Sequence, residues 1–126
     1  ETLDALDLRG SVMEAGLEFQ VGVGGGRLST VQRQKLNLAR ALLKRPDLLI
    51  ANEATSAMDP AVQDRIAETI LKVRGGKGVI WIVNRAPMAA KFDKVVAFAE
   101  GRVVEQGHYD ARNRDGTALH EMRQSA

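Results

Sequence analysis

An α/β fold with a mainly parallel sheet is what this sequence predicts, on three observations. Short apolar runs alternate with helical periodicity: Leu48-Leu49-Ile50-Ala51 is followed by Val62, Ile66, Ile70 and Val73 at helical spacing, and then by a second run from Val79 to Val83. The first run is continuous, with no polar alternation, which predicts a strand covered on both faces, as in parallel sheets. Two further runs, Val95 to Phe98 and Arg102 to Glu105, meet at Glu100-Gly101 and predict a C-terminal β-hairpin.

The elements follow in order. Residues 1 to 8 read as the end of a helix, with Leu3, Leu6 and Leu8 apolar and Arg9-Gly10 closing it. From Ser11 to Arg27 the glycines Gly16, Gly22, Gly24, Gly25 and Gly26 predict an irregular loop with unusual backbone angles. Ser29 is placed to cap a helix from Thr30 to Lys44 whose apolar arc is Leu36, Leu38, Ala39, Leu42 and Leu43. Pro46 ends that helix before the first strand. Asp59-Pro60 reads as a helix cap with proline in the first turn, and Gly75-Gly76 stops the helix that follows. Past Gly107 the pattern fades into a polar tail with a short helix expected from Thr117 to Arg123.

Composition bounds the function. A chain of 126 residues suits one domain, and 44% hydrophobic with 27% charged residues is the profile of a soluble globular protein. The net charge of +2 comes from basic residues spread along the chain, so a nucleic-acid partner is not expected. Absence of cysteine excludes disulfides and thiolate metal sites. No apolar run approaches the ~20 residues of a membrane helix, and the acidic start ETLDALDLRG is unlike a signal peptide. A cytosolic chain, or one on a cytosolic surface, is expected. Glu1 is not an initiator methionine and the amphipathic pattern is already under way at Leu3, so a piece of a longer polypeptide is expected.

In parallel sheets ligands bind at the carboxyl ends of strands, which here are Asn52-Glu53 and Asn84-Arg85. A carboxylate at the tip of a buried strand is rigidly aimed and partly desolvated, as a water-activating base requires; it could equally cap a loop. Ser29 and the amides after it form a helix start that attracts anions, although a plain N-cap is the commoner use of serine there.

Taken together, in this order and spacing, these residues resemble the ATP-binding-cassette (ABC) ATPases, in particular the nucleotide-binding domain of exporters. Leu28-Ser29-Thr30-Val31-Gln32 stands where the family has its LSGGQ signature, and RQKLNLARALLKRP (33–46) resembles the helix after it. Leu49-Ile50-Ala51-Asn52-Glu53 occupies the Walker B position and ATSAMD (54–59) matches the loop that crosses to a partner domain. Ile82-Val83-Asn84-Arg85 falls at the switch-histidine loop, and GRVVEQG (101–107) matches the terminal hairpin. The resemblance implies a partial P-loop NTPase domain: the end of the helical subdomain over residues 1–30, core sheet and helices over 31–107, and a tail over 108–126.

It further implies an ATPase coupled to transport, using ATP and Mg²⁺, in which two domains close head to tail. Glu53 would polarise the attacking water with Asn84 at the switch position. Ser29, Thr30, Val31 and Gln32 would face the nucleotide held by the partner, and Asn52 would hold Mg²⁺ weakly through water. Ser56, Ala57, Met58 and Asp59 would touch the second ATPase domain, identical or not. Gln20, Val21, Gly22 and Val23 would touch a transmembrane domain, on the cytoplasmic face of a cell membrane.

The sequence departs from the family pattern where chemistry is concentrated. Asn52 replaces the aspartate that holds Mg²⁺ and brings no charge to a divalent cation. Asn84 replaces the histidine and is a shorter neutral donor that cannot become cationic. Thr30 and Val31 replace two glycines that let backbone amides approach phosphate. No G-x-x-x-x-G-K-[ST] run is present, so the chain alone is expected neither to bind ATP tightly nor to hydrolyse it. Reduced turnover of the parent protein is expected, with a catalytically silent regulatory domain, working by ATP-dependent dimerisation, as the alternative.

Other readings carry less. Arg33, Lys35, Arg40, Lys44 and Arg45 read as a charged outer helix face, and no aromatic residues interleave them for base stacking. The run from Gly22 to Gly26 lacks the preceding strand and spacing of a dinucleotide loop. His108 and His120 have no clustered partners and read as surface residues, and Trp81 as core.

Overall fold

A computed structural model describes residues 2–109. They run α1 (Thr2–Ala5), α2 (Arg9–Ala15), a 3-10 turn (Val23–Gly25), α3 (Thr30–Leu43), β1 (Leu48–Asn52), α4 (Pro60–Arg74), β2 (Gly78–Ile82), α5 (Ala86–Ala89), β3 (Val95–Ala99) and β4 (Arg102–Gly107). The contacts divide after Trp81 into two compact units. The expected tail helix from Thr117 to Arg123, and His120, lie outside the described residues.

In the first unit β1 and β2 form a two-stranded parallel sheet joined by α4, the strand-helix-strand order that the alternating pattern predicts. Its core is one cluster: Leu6 and Leu8 beside α1, Leu38, Ala39 and Leu42 of α3, Leu49 of β1, Met58 of the loop after β1, and Ile66 and Ile70 of α4. Val79 and Trp81 of β2 pack against it half-buried.

Several expectations change here. The segment after Arg9 is helical through Ala15, where an irregular loop is expected; glycine is required from the end of that helix onward, at Gly16, Gly22, Gly24 and Gly25, whose φ values are +83°, +77°, +61° and +75°. Strand β1 is covered on one face, not two: Leu49 and Ala51 are buried, whereas Leu48 is exposed and Ile50 is 63% exposed. Ile80 of β2 is likewise exposed, so the continuous apolar run reflects an inner face and an open outer one. The strands do not build one sheet: β3 pairs with β4 in a separate two-stranded sheet.

On α3 the buried residues are Lys35, Leu38, Ala39 and Leu42, while Leu43 stands exposed. Lys35 belongs to the inner face because it has a partner: its ammonium donates to the Asp7 carboxylate at 3.2 Å and to the Asp7 carbonyl at 3.3 Å. This pair fastens the turn between α1 and α2 to α3, and Arg9 bonds back to Asp4 across the same turn. That contact with the Arg9 guanidinium holds the Asp4 carboxyl well below the usual carboxylate range.

Helix α4 begins at Pro60 without a side-chain cap from Asp59; the Asp59 carbonyl accepts the amides of Val62 and Gln63, each at 2.9 Å. Proline in the first turn has no N–H to satisfy, so fewer donors need a cap. At the other end Val73, expected inside, is exposed and Arg74 is buried in its stead. The Arg74 guanidinium donates to the carbonyls of Pro46 at 2.6 Å, Asp47 at 3.0 Å and Gly78 at 3.3 Å, which ties the end of α4 to the starts of both strands. Gly75 then takes the left-handed conformation, φ +55°, that closes the helix.

The second unit is α5 and the β3–β4 hairpin. The hairpin is antiparallel, with Val95 opposite Gly107 and Ala99 opposite Arg102, and a bulge between Ala97 and Phe98. Its turn, Glu100-Gly101, has φ of +49° and +72°, the sign required by tight hairpin turns that match strand twist. Met88, Ala89 and Ala97 are buried.

Two substitutions should differ sharply in urea melts of this chain. Ile70→Ala, at a fully buried position, is expected to cost ~2–5 kcal/mol, and Ile50→Ser on the open face of β1 less than about 1 kcal/mol.

Candidate functional site

The candidate site is assembled on two supports in the first unit, the start of α3 and the loop between β1 and α4. Ser29 takes extended backbone angles, and its hydroxyl accepts the Gln32 amide at 3.1 Å while the Gln32 side-chain oxygen accepts the Ser29 amide at 2.9 Å. This reciprocal capping box satisfies two donors that the first turn of a helix leaves open. Thr30 opens the helix and its hydroxyl oxygen accepts from the Arg33 guanidinium at 3.2 Å. Val31 turns inward and packs half-buried on the core. Of the two β-branched residues in the signature position, Thr30 is therefore the one on the open side.

Asn52 is the last residue of β1 and Glu53 the first after it, both exposed. The expected partial desolvation of the Glu53 carboxylate is not seen. What does fix Glu53 is its backbone: φ is +44°, a left-handed conformation that non-glycine residues seldom adopt. Two successive turns follow, the Ser56 amide donating to the Glu53 carbonyl and the Met58 amide to the Thr55 carbonyl, each at 3.0 Å. Thr55 and Met58 are buried and anchor the loop, whereas Ser56, Ala57 and Asp59 are exposed.

The loop is also held from both flanking helices by residues that the sequence reading passes over. Gln34 of α3 bonds to it three times, through the Glu53 carbonyl, the Ser56 hydroxyl and the Ala57 amide. Gln63 of α4, itself buried, donates to the Met58 carbonyl at 2.8 Å. A signal for Gln34 was present: it sits one helical turn before Leu38, at the edge of the buried arc, where an amide must find partners.

Gln20, Val21, Gly22 and Val23 lie ahead of α3. Val21 helps to line a cleft of about 340 Å³ with Leu8, Val12, Phe19, Leu28 and Leu36, while Val23 is fully exposed. Asn84 is exposed in the loop between β2 and α5, in the second unit. Among the described residues no group of three or more His, Cys, Asp or Glu could hold a metal ion. No G-x-x-x-x-G-K-[ST] run occurs in the sequence. Among the same residues no helix is long and apolar enough to cross a membrane.

No protein-family model matches the chain. Among curated proteins, the heterocyst differentiation ATP-binding protein HepA of Nostoc sp. is 47% identical over 97 residues, which cover 77% of this chain and 16% of that protein. The ATP-dependent lipid A-core flippase of Xylella fastidiosa is 40% identical over 102 residues, 80% of this chain and 17% of the flippase. ABC transporter B family member 14 of Arabidopsis thaliana is 37% identical over 99 residues, 79% of this chain and 8% of that protein. The chain thus spans no more than 17% of the length of these relatives. A solved bacterial Atm1-family ABC exporter with ATP bound superposes with a TM-score of 0.85 at 30% identity, covering 99% of this chain and 23% of that one. Shared sequence with transporters from bacteria and a plant, and a shared fold with an exporter, lead to one conclusion: the chain belongs to the ABC exporter family, as part of its ATP-binding domain.

Proposed function

We propose that this chain supplies part of the ATPase engine of an ABC exporter, coupling ATP binding and hydrolysis to transport. The observation that carries this reading is the placement of Glu53: a carboxylate at the tip of β1, open to solvent, on a backbone locked by turns and by glutamines from two helices. A base of that kind can polarise a water held against a substrate. The capped start of α3, with Ser29 outermost, suits contact with a phosphate presented by a second ATPase domain. Ser56, Ala57 and Asp59, exposed beside Glu53, and the buried Met58 that anchors them, form the segment that would meet that domain.

ATP and Mg²⁺ would be held largely by residues outside this chain. Asn52 offers an uncharged oxygen where a divalent cation favours a carboxylate. The contact with a transmembrane domain, at the cytoplasmic face of a membrane, is assigned to Gln20 to Val23. Val23 within that stretch and Met13, Leu17 and Phe19 ahead of it are exposed, and exposed apolar surface of this kind can serve interaction.

Asn52 and Asn84 weaken the site that Glu53 serves, and Thr30 weakens the opposite one. If each change costs roughly ten- to a hundredfold, the barrier rises by ~1.4–2.7 kcal/mol per change. Slow turnover follows. A second reading, a silent domain that binds ATP and dimerises, is favoured by asparagine occupying both the sequence position of the family's metal-binding residue and that of its switch residue.

Three measurements test these readings. In the full-length polypeptide Glu53→Gln should abolish Mg-ATP turnover while leaving nucleotide binding in place; unchanged turnover would overturn the assignment of Glu53. The double variant Asn52→Asp with Asn84→His should raise turnover roughly tenfold or more, and no gain at all would favour the silent domain. Calorimetry of this chain alone with Mg-ATP should give no tight binding, and a saturating high-affinity isotherm would contradict the assignment of ATP to residues largely outside this chain.

A further inference from the structure

Gln34 carries an arrangement that neither the capping box nor the core explains. Its side-chain amide is spent entirely on one loop: Nε2 donates to the Ser56 hydroxyl at 3.0 Å and to the Glu53 carbonyl at 3.4 Å, and Oε1 accepts the Ala57 amide at 3.1 Å. A primary amide offers two N–H donors and an acceptor oxygen on one flat group. The bonds span 19, 22 and 23 residues of sequence, so they order the fold and not the helix that bears them. The loop needs such restraint, because Glu53 sits at φ +44°, from which a free loop would relax.

Gln34 is also two residues beyond Gln32, in the second turn of α3. The same rigid length of helix therefore carries the capped Ser29 at one end and the grip on the Glu53 loop a turn later.

We propose that Gln34 is a positioning residue that fixes the backbone of Glu53 to Ala57 on α3, so that the water-polarising carboxylate and the exposed loop beyond it keep register with the start of that helix. The proposal rests on the reading of Glu53 given above. It acts through geometry: reacting groups displaced by about 1 Å can lose ~100-fold in rate while binding is kept.

Two experiments separate the clamp from its catalytic consequence. In this chain, amide hydrogen exchange by NMR should show the Ala57 amide exchanging at least several-fold faster in Gln34→Ala, with the core amides of Leu42 and Ile70 unchanged. Gln34→Glu, which keeps an acceptor for Ala57 and loses the donor to the Glu53 carbonyl, should retain much of that protection. Unaltered protection of Ala57 in Gln34→Ala overturns the proposal. In the full-length polypeptide Gln34→Ala should lower kcat roughly 10- to 100-fold with the KM for ATP little changed, and Gln34→Glu should recover part of the loss. Should Gln34→Ala fail to fold, Gln34→Met, which keeps the length of the side chain and loses both amide groups, carries both readouts. Normal kcat in the Gln34 variants, beside a dead Glu53→Gln control, overturns the positioning role and leaves the function standing. An active Glu53→Gln control overturns the functional reading, while exchange at Ala57 still decides the clamp.

Discussion

The inner face of β1 is the constraint on which the first unit depends. Leu49 and Ala51 are its buried residues, and Leu49 joins Leu38 and Leu42 of α3 and Ile66 and Ile70 of α4 in one cluster. Each fully buried aliphatic side chain contributes ~1.5–3 kcal/mol by removal from water, so the two helices and the strand hold one another. Because a strand alternates, pinning Leu49 and Ala51 inward also sets the direction in which β1 ends. Arg74 adds a polar lock at the opposite end, satisfying three strand-start carbonyls with one guanidinium. The end of β1 that bears Asn52 and Glu53 is thereby fixed from behind.

Much of this was legible in the residues. The helical period of Ile66 and Ile70, proline at the start of α4, glycine at its end and the Glu100-Gly101 turn are local signals, and local chemistry decides them. What was not legible came from pairing at a distance. Lys35 reads as surface until Asp7, 28 residues away, is brought beside it. Arg74 reads as a terminal basic residue until the strand carbonyls converge on it, and Val73 is displaced outward in consequence. The single covered face of β1 was hidden for a different reason: apolar composition reports what a strand can bury, and says nothing of what lies against each side.

The candidate site divides along the same line. Ser29, Gln32 and Glu53 were placed by order and spacing, and the capping box between the first two is a local motif that sequence predicts well. Gln34 and Gln63 escaped because glutamine is common on helix surfaces and only the path of the loop reveals what their amides hold. Asn52 is informative by what it lacks. The neutral Asn52 amide next to Glu53 adds no second negative charge at the strand tip, so charge there is lower than two adjacent acids would give, and the cost of bringing an anion near it falls accordingly.

The capping box has a meaning beyond helix stability. The Ser29 oxygen is used as an acceptor by the Gln32 amide, yet a hydroxyl has a proton as well as lone pairs. Freezing the oxygen fixes the rotor about the side-chain bond, and the proton is left to turn toward whatever approaches. An incoming acceptor meets a donor whose rotational entropy has already been surrendered in folding, so less is lost when the new bond forms.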